Sequence, residues 1–227
     1  MRHLHRAWCA AAVAATAMAV PATVSAQSGH NLERPEHWKV RYEGSDEAAE
    51  RNFVVMRPGW HVYAGPGGLI WDPGSFASGN YAVKSTIYLF PEGDPERSGS
   101  TRVDTPFGLF LGGRDLEGNK PTYVSFQIDN AGRFRIARHT PSQVQELARW
   151  TAHDGISVLD DQATSPAENV LEVDVRGEQT FFYIGGEAVA ELPSKDLSPA
   201  GVVGLSAGEG LSLHITEIAI GPNRRDE

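Results

Sequence analysis

The chain has 227 residues, of which 41% are hydrophobic, and 29 acidic side chains against 20 Lys and Arg give it a formal net charge of −9. This length is enough for one large domain. The sequence lacks the clustered basic residues with which proteins displace counterions from nucleic acids, so nucleic acid is excluded as a partner.

Residues 1–26 have the pattern of a signal peptide. Arg2 and Arg6 precede an apolar run, and residues 24–26 (VSA) supply the small side chains that a signal peptidase needs. The run is shorter than the roughly 20 apolar residues that span a bilayer, and no later segment is comparable, so we predict no membrane insertion. Cleavage near Ala26 predicts an exported protein, periplasmic or extracellular. Its only cysteine, Cys9, would leave with the signal, which excludes disulfides and a cysteine nucleophile.

From Trp38 onward the dominant hydrophobic period is two. The stretches "WKVRY" and "NYAVKSTIYLF" alternate apolar and polar residues, and clusters of Gly, Pro, Asn and Asp separate such runs. We therefore predict an all-β protein of roughly a dozen strands in two packed antiparallel sheets. The predicted organisation is a signal at 1–26, a flexible arm at 27–37, a single β-sandwich domain at 38–221 and a tail at 222–227.

Three segments give more specific predictions. The stretch "YVSFQIDNAGRFRIARH" reads as two strands around a hairpin at residues 129–132, and "FFYIGGEAVAEL" reads as another hairpin that turns at Gly185 and Gly186. Residues 141–153 (PSQVQELARWTAH) combine helical spacing of Val144 and Leu147 with the composition of a strand that leads to Trp150. We predict a strand there.

Several stretches in order resemble a concanavalin A-like jelly roll: "GWHVYAGPGGLIWDP", "PFGLFLGG", the "DNAG" hairpin, "NVLEVDVRGEQTFFYIGGEAV" and "AGVVGLSAGEGLSLHITEIAI". Within that superfamily the chain is most similar to the LamG-like and 3-keto-disaccharide hydrolase (DUF1080-type) domains of exported bacterial proteins. The resemblance covers about residues 53 to 220 and implies a two-sheet sandwich associated with carbohydrate. It does not fix a reaction, because one fold hosts many functions.

The stretch "LEVDVRGE" raises the question of a glycosidase acid pair. Glu172 and Asp174 share one face of a strand, about 6.6 Å apart along it, which is compatible with the roughly 5 to 5.5 Å between the carboxyl groups of retaining glycosidases. The laminarinase-type enzymes of the resembled superfamily have a further Glu after this pair, where this chain has Arg176 and Gly177. A nearby guanidinium favours an ionised carboxylate rather than a general acid. We therefore predict that both carboxylates belong to a solvated, non-catalytic strand face.

No metal ligand is assigned from the sequence. "DLEGN" at 115–119 offers oxygen ligands at alternate positions, and sandwiches of the resembled superfamily often bind calcium, so calcium stays open as a cofactor. The remaining carboxylates of a calcium loop are missing, which favours a polar hairpin loop. The histidines of the mature chain form no His-x-x-x-His pair.

The predicted ligand surface is the polar face of the hairpin around residue 130. If its apolar positions point into the core, its amide, guanidinium and imidazole side chains share the opposite face, and nearby aromatic rings could stack on sugars. The candidate ligand-binding residues are Lys84, Arg114, Ser125, Gln127, Arg135, His139, Trp60, Trp71 and Trp150. The alternative is that Trp60 and Trp71 belong to the core and that the arginines only keep the sheet soluble.

Three functions fit these observations. The first is a non-catalytic module that binds carbohydrate or the cell envelope, and the second is a glycoside hydrolase of the 3-keto-disaccharide type, as the resemblance implies. The third is an interaction domain for another exported protein. An aromatic groove would favour the first, a pocket with two carboxylates the second, and a flat apolar patch the third. The oligomeric state and the identity of the sugar do not follow from the sequence.

Overall fold

The computed structural model describes residues 34–43, 53–62, 65–91, 103–160 and 162–223. Contacts divide the chain into Met1–His30, which falls outside these ranges, and Asn31–Glu227, to which every structural statement below refers. The predicted signal peptide, most of the predicted arm at 27–37 and the end of the predicted tail therefore lie outside the described residues. No helix in these ranges is long and apolar enough to cross a membrane.

Two antiparallel sheets form the fold. The front sheet has the spatial order β1 (Lys39–Tyr42), β4 (Gly68–Trp71), β14 (Gly201–Ala207), β7 (Phe107–Arg114), β8 (Thr122–Ile128), β9 (Arg133–Thr140) and β10 (Gln143–Ala152), and β5 (Phe76–Ala77) also pairs with β14. The back sheet has the order β13 (Glu187–Pro193), β12 (Gln179–Ile184), β11 (Ala167–Arg176), β6 (Tyr81–Leu89), β15 (Leu213–Ile215), β3 (Trp60–Val62) and β2 (Phe53–Val55), and β16 (Ala219–Gly221) pairs with β6. A short helix, α1 (Ser194–Leu197), follows β13.

The predicted all-β jelly-roll sandwich is confirmed by this arrangement. Strand β6 shows why the sequence folds this way: Tyr81, Val83 and Ile87 are at most 3% exposed, whereas Lys84 between them is exposed. Successive side chains of a strand point to opposite faces, so the alternating sequence gives the strand one buried face and one more exposed face.

The predicted hairpins also form. Gly132 adopts φ 73° in the β8–β9 turn, and the Asp129 carboxylate accepts the backbone amides of Ala131 and Arg133 at 3.1 Å each. Gly185 and Gly186 both adopt positive φ in the β12–β13 turn, which glycine does without steric cost. The ambiguous segment at 141–153 contains β10, so its prediction as a strand is correct.

The core lies between the sheets. Phe126 of the front sheet and Phe182 of the back sheet meet edge to face with ring centroids 5.2 Å apart, and neither is exposed. Burial of each such ring contributes about 1.5–3 kcal/mol. Strands β7 to β10 are consecutive neighbours in the front sheet. Their outward side chains therefore gather on one surface.

Candidate functional site

The outer face of the front sheet, turned away from the core, carries the candidate site. The residues predicted to be buried all belong to the core: Val124, Phe126, Ile128, Phe134 and Ile136. Their neighbours Ser125, Gln127 and Arg135 consequently project from the opposite face, because side chains alternate along a strand. The predicted orientation of this hairpin is confirmed.

Strand register brings a polar row together across the sheet. Ser206 of β14 lies opposite Gly108 of β7, Gly108 lies opposite Gln127 of β8, and Gln127 lies opposite Arg135 of β9. Gly108 has no side chain to intervene. The amide of Gln127 therefore reaches over β7, and its Nε2 donates to Ser206 Oγ at 2.8 Å.

Gln127 is the centre of the hydrogen-bond network. Its Oε1 accepts a bond from Arg135 Nε at 2.9 Å and another from Ser125 Oγ at 3.3 Å. Gln127 is only 5% exposed and Ser125 is fully buried. Both were predicted to contact the ligand directly; the structure places them beneath the more exposed side chains of this face, with their polar atoms bonded to one another and to neighbouring side chains.

His139 and Tyr123 lie opposite each other on the same face, four residues along β9 and β8 from Arg135 and Gln127. Their rings stack at 4.3 Å with an interplanar angle of 8°, and Ser125 Oγ lies 2.9 Å from His139 Nε2. Burial, helped by the nearby charge of Arg135, lowers the pKa of His139 to about 4. Burial also raises the pKa of Tyr123. Both rings are therefore neutral at neutral pH, and both can exchange hydrogen bonds with a neutral hydroxyl group.

Trp150 of β10 forms the other side of the site. The guanidinium carbon of Arg135 lies 4.9 Å from the centre of its ring, and that of Arg133 lies 5.2 Å away. Arg133 is also paired with the fully buried carboxylate of Asp129, at 2.6 Å from Nη2 and 3.0 Å from Nε. The predicted residues Ser125, Gln127, Arg135, His139 and Trp150 thus lie on one face of the front sheet, with the last three partly exposed above the buried Ser125 and Gln127.

Two residues of this surface were missed by sequence reasoning, and the charge of a third residue acts on it from the edge of the sheet. Tyr123 shares the face of Ser125 and Gln127, so the same period of two could have found it. Ser206 lies about 80 residues away in the chain, and only the pairing of β14 with β7 brings it here. Glu43 follows β1 at the far edge of the sheet, yet its charge influences both Tyr123 and Arg135.

Two predicted cations are not brought to this surface. Lys84 lies on β6 of the back sheet opposite Glu172, so its placement on a strand next to the hairpin is wrong. A run of alternating residues does not show which sheet it joins. Arg114 lies at the end of β7, opposite Thr122, and its Nη2 donates to the carbonyl of Ala200 at 3.0 Å. It caps a strand end away from the polar row.

Two predicted aromatic platforms are also placed elsewhere. Trp60 lies on β3 of the back sheet and packs against Trp38 with ring centroids 4.7 Å apart. Trp71 does face outward from the front sheet, but it is only 3% exposed, because it packs with Leu69, Phe110 and Leu116 in a second apolar cluster. The alternative that these two rings serve packing is the one that their environments support.

The paired carboxylates of β11 lie on the outer face of the back sheet. Glu172 is 6% exposed and Asp174 is fully buried, so the prediction of a solvated face is wrong. Arg176 Nε donates to Asp174 Oδ2 at 2.8 Å. Both sheets separate this pair from the polar row, so Glu172 and Asp174 do not belong to the candidate site.

The residues that the structure describes offer no group of three His, Asp or Glu side chains placed to hold a metal ion. In the "DLEGN" loop, the Asp115 carboxylate accepts the backbone amide of Lys120 at 2.8 Å, and the amide of Gly118 donates to the Asp115 carbonyl at 3.0 Å. These bonds are those of a polar hairpin loop, and the donor set does not fit calcium, which needs six to eight oxygens.

Comparison with known proteins identifies the fold. No protein-family model matches the chain, and no curated protein matches it in sequence. Among solved structures, it is similar to the carbohydrate-binding module CBM66 from Bacillus subtilis, with a TM-score of 0.55 and 10% identity over 82% of this chain and 95% of that one.

Two further structures have the same fold. The GH16 protein of a mixed-linkage glucan PUL of Bacteroides ovatus, in complex with a product, has a TM-score of 0.54 and 9% identity over 84% of this chain and 97% of that one. The endo-β-1,3-glucanase of Pyrococcus furiosus has a TM-score of 0.52 and 10% identity over 83% and 89%. The fold is therefore a concanavalin A-like jelly roll. The narrower LamG-like or DUF1080-type resemblance stays a prediction.

Proposed function

We propose that the protein is a non-catalytic carbohydrate-binding β-sandwich that holds its glycan on the outer face of the front sheet. The observation that carries the proposal is the bonded row Ser206–Gln127–Arg135, which fixes a guanidinium beside the ring of Trp150. Sugars present hydroxyl groups around an apolar C–H face. Planar donors next to an aromatic ring match both features.

The solved structures with this fold support a glycan as the partner. One is named as a carbohydrate-binding module and another as a glucanase. The fold alone does not transmit a function, so the argument depends on the site. Here His139, Tyr123, Arg135 and Trp150 are all partly exposed above a buried floor, which leaves their outward atoms accessible to a ligand.

The positions of Glu172, Asp174 and Asp129 favour binding over cleavage. Glycosidases need a pair of carboxyl groups on either side of the scissile bond. Glu172 and Asp174 lie on the other sheet. Asp129 is fully buried, and its two oxygens accept bonds from Arg133 and from two backbone amides.

A glycoside hydrolase is the second candidate function, and Glu43 is the residue that favours it. Its carboxylate is the one whose charge influences both Tyr123 and Arg135 across the site. Incubation of the protein with the glycans that it binds, followed by measurement of released reducing ends, separates the two functions. Turnover that disappears in Glu43→Gln would establish the enzyme, whereas binding without release supports the module.

Export is part of the proposal, and the amino-terminal pattern of residues 1–26 supports it. The mature protein should begin near Gln27 without a lipid, because Cys9 lies too early in the apolar run to be acylated. Mass spectrometry of exported protein decides this. An intact amino terminus or a lipid adduct contradicts it.

A glycan array tests the proposed function. The wild-type protein should bind at least one glycan class, with or without calcium, and Arg135→Ala should weaken that binding by about 1.5–3 kcal/mol, the value of a charge-assisted hydrogen bond. Lys84→Ala is the matched control, because it removes a cation from the opposite sheet. Absence of binding to every glycan, or equal loss in both variants, would contradict the proposal.

A further inference from the structure

The guanidinium of Arg135 is held in a fixed orientation before any ligand arrives. Its Nε donates to Gln127 Oε1 at 2.9 Å, and its plane is close to Trp150, at 4.9 Å from the ring centre. Gln127 is itself fixed by its bond to Ser206 at 2.8 Å. A guanidinium group that is already oriented loses less conformational entropy when it binds a partner.

The two terminal nitrogens of Arg135 have no acceptor within the described ranges of the chain. Other arginines provide an internal comparison. Arg133 is bonded to Asp129, Arg176 to Asp174, and Arg41 to the carbonyls of Leu116 and Gly118 at 2.9 and 2.7 Å. Each of these guanidinium groups meets a protein oxygen through a terminal nitrogen, whereas the terminal nitrogens of Arg135 meet none among the described residues. Arg135 shares this with exposed arginines such as Arg149, but it differs from them in being partly buried and held at Nε by the buried side chain of Gln127.

The charge of Arg135 is also incompletely compensated. Burial lowers its pKa, although the surrounding charges of Glu146 and Glu43 act in the opposite direction. Those two carboxylates act at a distance, since neither is hydrogen-bonded to Arg135 in the described residues. A partly buried cation that lacks a contacting anion gains more from a carboxylate than from a neutral hydroxyl group, because a bond between two charges is roughly twice as strong.

We propose that Arg135 receives the carboxylate of an acidic sugar, a uronic acid residue, through both terminal nitrogens. The proposal depends on the glycan-binding function inferred above and specifies its ligand class. A guanidinium and a carboxylate match as two parallel hydrogen bonds, which a single hydroxyl group cannot form. Trp150, beside Arg135 on the adjacent strand, and His139, further along β9, would contact the ring that carries the carboxylate.

The surface charge limits how acidic the glycan can be. With a net charge of −9 the protein repels long polyanions, and Glu43 and Glu146 lie close to the site. The preferred ligand is therefore a short or sparsely charged glycan with a uronic acid among neutral sugars. A polymer of uronic acids should bind less well per residue at low ionic strength, where repulsion extends further.

Calorimetry with matched pairs of oligosaccharides tests the inference. The probes are glucuronoxylan, pectin and alginate oligosaccharides, each compared with the same preparation after chemical reduction of its carboxyl groups to alcohols. At least one acidic probe should bind, and its carboxyl-reduced counterpart should bind at least tenfold more weakly. Arg135→Lys keeps the positive charge but lacks the two parallel N–H donors of the guanidinium. It should therefore abolish most of the difference in affinity between an acidic probe and its reduced counterpart. Lys84→Ala should preserve that difference.

The outcomes separate the two proposals. Equal binding of an acidic probe and its reduced counterpart, or binding of neutral glycans alone, overturns the carboxylate inference and leaves the glycan-binding function standing. Absence of binding to these probes and to the whole glycan array overturns both. Thermal melting of Arg135→Lys and of Arg135→Gln shows that a loss of affinity arises in a folded protein.

Discussion

Asp174 and Arg176 form an ion pair on β11 in which the carboxylate is fully buried and the guanidinium side chain is 17% exposed. Residues two apart on a strand share a face, and here they share a bond. The pair lies on the outer face of the back sheet. Because removal of one partner leaves the other charge buried and uncompensated, Asp174→Ala should destabilise the protein by about 3 kcal/mol.

Urea denaturation measures this effect directly. Glu178→Gln is the matched control, since it removes a carboxylate that is exposed in the adjoining turn, and it should change the free energy of unfolding by less than about 0.5 kcal/mol. An unchanged midpoint in Asp174→Ala would show that the pair contributes nothing. Glycan binding should survive in this variant, because the pair lies on the other sheet.

Acid stability should depend on the buried histidines. Burial lowers the pKa of both His61 and His139 to about 4 in the folded protein, against 6.5 for an unperturbed histidine. Below pH 6.5 the unfolded chain takes up protons that the folded chain does not. Stability is therefore full above pH 6.5 and falls as the pH decreases towards 4, by up to about 3 kcal/mol for each histidine.

Thermal melting between pH 4 and 7 checks this dependence. His139→Gln removes the titrating group but keeps a side chain able to bond to Ser125, so its melting temperature should vary less with pH than that of the wild type. His37→Gln serves as the control, because the side chain of His37 is 65% exposed. Parallel curves for wild type and His139→Gln would contradict the assignment.

The alternation of apolar and polar residues predicted the local structure of each strand well, but it predicted poorly which strands are neighbours in a sheet. It oriented Ser125, Gln127 and Arg135 correctly, because side-chain direction is a local property of a strand. It could not place Lys84, since a strand of either sheet has the same alternation. The pairing of β6 with β11, rather than with the hairpin, is decided by contacts between residues far apart in the chain.

The sequence also could not predict how deeply polar side chains on the outer faces of the sheets are buried. The sequence predicted a wet face for Gln127 and Asp174, yet both are nearly or fully buried. Polar side chains can be buried when each finds partners, and such partners are distant in sequence: Ser206 lies 79 positions from Gln127. The local sequence pattern therefore shows that a side chain points away from the core, but it does not show that the side chain is exposed to solvent.

The loop between β7 and β8 should loosen when Arg41 is removed. Arg41 of β1 donates to the carbonyls of Leu116 and Gly118, and Leu116 packs on Trp71 in the second apolar cluster. Arg41→Ala leaves two carbonyls without this donor, so stability should fall by about 1–3 kcal/mol. Amide hydrogen exchange should accelerate at residues 115–120. Lys39→Ala, which removes only an exposed pair with Glu117, should leave exchange unchanged.

Substitutions of Gln127 and Arg135 should distinguish a residue that positions a ligand-binding group from a residue that contacts the ligand. Gln127→Ala leaves the buried hydroxyl of Ser206 without its donor and Arg135 Nε without its acceptor. It should therefore cost about 1–3 kcal/mol of stability as well as affinity. Arg135→Ala removes an outward group whose terminal nitrogens bond to no described residue, so most of its effect should be on affinity.

Denaturation and calorimetry on the same two variants distinguish the positioning role of Gln127 from the binding role of Arg135. The expected pattern is a large loss of stability with a partial loss of affinity for Gln127→Ala, and the reverse for Arg135→Ala. Ser206→Ala isolates the far end of the row: it deletes one bond to Gln127 and should fall between the wild type and Gln127→Ala in stability. If Gln127→Ala retains full stability, the row is not held by its central amide. If it also retains full affinity, Arg135 is oriented by Trp150 alone.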